Sequence, residues 1–77
     1  MKMRNVKIFN KEKGNYRFFS LKPETAKEIA REGDLFELET AMDAEGGSGT
    51  FQHLIGDAGG DVTILGERGE TLCNFIV

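Results

Sequence analysis

Cys73 is the only cysteine in a chain of 77 residues, so no internal disulfide can hold this fold together. Domains below about 70–80 residues usually lean on disulfides or a metal because their cores are small. This chain must instead rely on one thin hydrophobic layer, which leaves no interior for a deep substrate cavity. Function is therefore expected on a face, an edge or a shallow groove. The same lone thiol favours a reducing, cytoplasmic compartment. No long apolar stretch follows the opening residues Met1 to Asn5. Neither a signal peptide nor a membrane span is expected.

With 39% hydrophobic and 30% charged residues, the composition is that of an ordinary globular chain rather than a disordered one. We read residues 1–77 as a single domain. The net charge of −3 conceals a strong asymmetry. Residues 1–22 carry seven Lys/Arg against one acid, and residues 23–77 carry three against twelve. Such a split predicts a dipolar surface and a charged partner.

Met3, Val6 and Ile8 alternate with Lys7, and Tyr16 to Leu21 is aromatic and apolar. The polar run from Asn10 to Asn15 lies between them. This pattern predicts a hairpin, with strands at about 4–9 and 16–20. Pro23 at a first helical position, Glu24 in the first turn, Arg31 in the last and Gly33 beyond it predict a short helix. Its apolar stripe is Ala26, Ile29 and Ala30. Further on, Phe36, Leu38 and Met42 alternate with Glu37 and Glu39, which reads as a third strand. Ala44 to Gly49 reads as a flexible tip, Thr50 to Ile55 as a fourth strand, and Gly56 to Asp61 as a second glycine loop. Val62 to Leu65 and Thr71 to Val77 complete the series. The expectation is an α+β fold. It has an antiparallel sheet of five to six strands in the order ββαββββ, with one helix packed on it. An apolar last strand at an open edge would favour a homodimer through strand pairing.

The chain offers little catalytic chemistry. His53 is the only histidine and sits mid-strand in this reading, where a partly buried or rim side chain is the ordinary role. Cys73 reads as a small buried hydrophobe, activated only if His53 happens to lie beside it. One His and one Cys do not complete a zinc site. Asp57 to Asp61 lacks the remaining ligands of a calcium loop. Gly46-Gly47-Ser48-Gly49 has no following Lys-Ser/Thr and is not a phosphate loop. We expect no enzyme activity, no metal and no cofactor.

Two surfaces remain. The acids Glu28, Glu32, Glu37 and Glu39 are expected on exposed helix and strand faces, where they would meet a protein with a basic surface. A small regulatory or inhibitory module, of the size common among phage and mobile-element inhibitors, fits that description by analogy. The alternative is single-stranded nucleic-acid binding by the N-terminal hairpin. There Lys7, Lys11, Lys13 and Arg17 interleave with Tyr16 and Phe19.

Leu54-Ile55-Gly56-Asp57, followed by Val62-Thr63-Ile64-Leu65-Gly66 and Gly69, resembles the opening strands of the carbon storage regulator family. That resemblance implies RNA binding. No functional residue is carried over from it.

Overall fold

The computed structural model describes residues 4–77, so Met3, the first position of the expected alternation, lies outside the described residues. The chain runs β1 (Val6–Asn10), β2 (Asn15–Phe19), α1 (Pro23–Glu32), α2 (Leu35–Gly46), α3 (Thr50–Ile55), β3 (Gly60–Leu65) and β4 (Thr71–Ile76). The strands form one antiparallel sheet in the order β2-β1-β3-β4, with β2 and β4 at its edges.

The α+β class, the antiparallel sheet, the N-terminal hairpin and α1 agree with the sequence reading. Pro23 opens α1, and the Gly33 N–H donates to the Ile29 carbonyl as the helix closes. Two expected strands are corrected. The stretches around Phe36 to Met42 and Thr50 to Ile55 are helices, so among the described residues the order is ββαααββ, with four strands and three helices.

The physical reason lies in two overlapping periods. Phe36, Leu38 and Met42 fit an alternating pattern, but Leu35, Leu38, Ala41 and Met42 also fall at helical spacing. The Asp34 carboxylate accepts the Glu37 N–H at 2.9 Å and caps the first turn. Leu, Glu, Met and Ala are all good helix formers. The helical period therefore wins: Leu38 and Met42 are buried, while Phe36 is 74% exposed. In α3, Phe51, Leu54 and Ile55 form an i, i+3, i+4 stripe, and all three are buried. Asp43 of α2 accepts the Phe51 N–H at 3.0 Å, which fixes the start of α3 against α2. The glycines expected at a hairpin tip instead end α2 at Gly46 and link it to α3.

All three helices pack on one face of the sheet. Val6 and Ile8 of β1 and Val62 and Ile64 of β3 meet Leu21, Ala26, Ile29, Leu38, Met42, Phe51, Leu54 and Ile55. Period-two alternation leaves the intervening residues of the same strands on the opposite face, which no described helix covers.

Two buried asparagines anchor the ends of β1, Asn5 to the β2–α1 connection and Asn10 to α3. Asn5 exchanges two hydrogen bonds with the Leu21 backbone. Asn10 donates to the Leu54 carbonyl at 3.1 Å and accepts the Lys13 N–H at 2.9 Å. No buried side-chain polar atom among the described residues lacks a partner.

Candidate nucleic-acid interface

The strand registers place the uncovered face in two transverse rows. Phe18, Lys7, Thr63 and Asn74 form one row across β2, β1, β3 and β4. Tyr16, Phe9, Asp61 and Ile76 form the other. One end of this face is thus aromatic and basic, its middle holds Thr63 and Asp61, and its far edge carries Asn74 and Ile76.

At the aromatic end, the Phe9 and Tyr16 rings lie 5.1 Å apart at an interplanar angle of 57°. The Lys7 ammonium sits 4.5 Å from the Tyr16 ring centroid, and the Arg4 guanidinium 5.8 Å from that of Phe18. Tyr16 is 59% exposed and Phe18 41%. Apolar side chains scattered singly over a surface are ordinary, whereas contiguous exposed rings are a feature of interaction surfaces. Among the described residues the one ion pair joins Lys27 to Glu67 at 3.7 Å. Arg4, Lys7, Lys11 and Lys13 therefore form no ion pair with a described residue.

Two shallow clefts bracket the aromatic row. Arg4, Phe18, Phe19, Ser20 and Glu45 line one. Phe9, Lys11, Gly60, Asp61, Ile76 and Val77 line the other, of about 250 Å³.

The hairpin residues named from sequence are divided between the two faces. Lys7 and Tyr16 lie on the open face, and Lys11 and Lys13 lie in the exposed β1–β2 turn. Arg17 and Phe19 point to the helical side, opposite Ile8 and Val6. Arg17 donates to the His53 carbonyl at 3.4 Å, and Phe19 packs against the core. The ring that takes the place of Phe19 on the open face is Phe18, joined by Phe9. Alternation along the hairpin carried this information, since Phe18 shares its parity with Tyr16. The sequence does not say which parity the helices cover.

The four acids named from sequence are all exposed. Glu28 and Glu32 lie on α1. Glu37 and Glu39 lie on α2, so they do not alternate along a strand as expected.

His53 and Cys73 do not meet. The His53 backbone is tied to β2, whereas Cys73 lies on β4 opposite Ile64, at the other edge of the sheet. Burial pushes the Cys73 thiol above its ordinary pKa, a backbone hydrogen bond with Ile64 opposing this. Asp57 accepts from the Gln52 carboxamide at 2.9 Å. Among the described residues no group of three or more His, Cys, Asp or Glu side chains is placed to hold a metal ion. No described helix is long and apolar enough to cross a membrane.

Comparison with protein-family models, curated proteins and solved structures gives no match. The local resemblance to the carbon storage regulators also fails structurally. Leu54 and Ile55 end a helix, where that resemblance requires a strand.

Proposed function

We propose that this protein binds single-stranded nucleic acid on the uncovered face of its sheet. The observation that carries the reading is the Phe9, Tyr16 and Phe18 ring cluster, with Lys7 and Arg4 held over two of its faces. Each base stacked on such a ring contributes about 1–3 kcal/mol, and cations alongside neutralise the phosphates. Tyr16 and Phe18 are two residues apart on one strand, about 6.8 Å, or twice the 3.4 Å step between stacked bases. This spacing suits bases splayed onto separate rings rather than stacked on each other. The overall charge of −3 limits the contact to a few phosphates near the basic hairpin.

The test is fluorescence anisotropy with a labelled uridine hexamer at low salt. Binding that weakens as salt rises is expected. Combined Tyr16→Ala and Phe18→Ala should reduce affinity at least about 30-fold, as expected for loss of two stacked bases. Neither ring belongs to the buried core, so the variant keeps its helical circular dichroism. Absence of binding at micromolar protein, or unchanged affinity in the double variant, overturns the reading.

A second surface is supported by Phe36. This ring is 74% exposed on α2, next to Glu37 and three residues before Glu39, with Glu28 and Glu32 exposed on α1. An exposed aromatic among acids suits docking to a basic protein surface. Capture of a basic partner that is lost with Glu37→Lys and Glu39→Lys supports it, and full binding by that variant refutes it. The unbridged Cys73 favours the cytoplasm for either role. A homodimer through β4 is supported by that edge strand having no charged residue.

A further inference from the structure

Resting on the nucleic-acid reading, we infer that the cleft beside Phe9 selects a guanine base within the bound strand. The cleft combines three kinds of group. The Phe9 ring supplies an apolar surface, and the Tyr16 ring next to it extends that surface. Ile76 and Val77, respectively 79% and 46% exposed, supply an aliphatic wall. Asp61 supplies a carboxylate directly opposite Phe9 in the β1–β3 register, and Lys11 a cation at the rim.

Asp61 carries the inference because its chemistry is out of place in an interface that serves only phosphate. A carboxylate repels phosphates, and this one makes no hydrogen bond or ion pair with any described residue that would give it a structural role. An ionised carboxylate accepts hydrogen bonds through two oxygens and donates none. Among the nucleobases, guanine offers two adjacent donors, its ring N1–H and its exocyclic amine. Both can reach one carboxylate at once. Cytosine and adenine offer only an exocyclic amine beside a ring acceptor, and uracil offers one ring N–H flanked by carbonyl oxygens. A base lying on Phe9 directs an edge toward β3, where Asp61 stands. Lys11 lies at the rim to meet the phosphate of the same nucleotide, offsetting the repulsion from Asp61.

The experiment compares uridine hexamers with one central position changed to guanosine, adenosine or cytidine, measured by anisotropy at fixed low salt. A good bidentate contact is worth about 1–3 kcal/mol, so guanosine should bind about 5- to 150-fold tighter than uridine, with the other two less favoured. Asp61→Asn keeps the size of the side chain but replaces one acceptor with a donor. This variant should lose the guanosine preference, binding the guanosine-containing and all-uridine hexamers with equal affinity. If the all-uridine hexamer binds but guanosine brings no gain, or if Asp61→Asn keeps the gain, the guanine assignment is wrong and the stacking platform stands. If no hexamer binds, both are overturned. Asp61 is exposed and outside the core, so thermal melting of Asp61→Asn should match the parent, and the affinities can be compared directly.

Discussion

Asn5 and Leu21 are joined by a reciprocal pair of hydrogen bonds. The carboxamide nitrogen of Asn5 donates to the Leu21 carbonyl at 2.9 Å, and the Leu21 N–H donates back to the carboxamide oxygen at 2.8 Å. Both residues are buried, and the pair closes the hairpin just before α1 begins. Leu21 thereby anchors in the core a chain segment that belongs to no strand or helix. Asn5→Ala should orphan both Leu21 backbone groups at a cost of about 1–3 kcal/mol each. Urea unfolding followed by circular dichroism measures this loss. Asn74 makes its hydrogen bonds on an exposed residue, so Asn74→Ala should cost less than about 1 kcal/mol in the same assay.

Phe36 and Leu38 share one face in a strand and part company in a helix. Leu38 is fully buried, and Phe36 is the more exposed of the two by a wide margin. Leu38→Ala should therefore lower stability by about 2–5 kcal/mol. Phe36→Ala should change it by no more than about 0.5 kcal/mol. Comparable losses at both positions in chemical denaturation would contradict the helical assignment of this stretch.

Gly60 lies where β3 meets the end of β1, and a side chain there would overlap the Phe9 carbonyl. Gly69 also has a positive φ, +81°, but open space surrounds it. Gly60→Ala should abolish or severely weaken folding. Gly69→Ala should cost only the strain of its backbone conformation, about 1 kcal/mol. Thermal melting of the two variants side by side tests the distinction.

Because burial raises the Cys73 pKa, the folded protein holds this proton more tightly than the unfolded chain does. Protons are then released on unfolding, so the contribution of this thiol to stability falls as pH rises. That fall begins near the ordinary value of 9.0 and ends above the raised folded value. Cys73→Ala should flatten the alkaline limb of the stability–pH curve. Alkylation by iodoacetamide at pH 8 should also be slower in native protein than in urea-unfolded protein.

The sequence spoke clearly where one period stood alone. The hairpin, the Pro23 start of α1, the Gly33 stop and β4 are all legible from local chemistry. It misled where apolar residues satisfied two periods at once, as in Leu35 to Met42 and Thr50 to Ile55. Asp34 followed three residues later by Glu37 was a readable capping signal, and it resolves the first ambiguity. The second stretch is only six residues long, too short for its own pattern to decide. The candidate interface was legible as composition, basic residues interleaved with aromatics, but not as a face. Phe19 and Phe18 are adjacent in the chain. Which of them meets solvent depends on where three helices dock, and that is set by residues far along the sequence.

Covering the sheet on one side only has a further consequence for how this chain can change. In β1 and β3, every second residue holds the molecule together, and the residues between them are free of that duty. A mutation at Lys7, Phe9, Asp61 or Thr63 can alter the open face while the neighbouring letters, Val6, Ile8, Val62 and Ile64, keep the fold intact. Two independent messages are thus written in alternate letters of the same short words. A lineage carrying this scaffold can change the chemistry of that face by single steps, without passing through an unfolded ancestor.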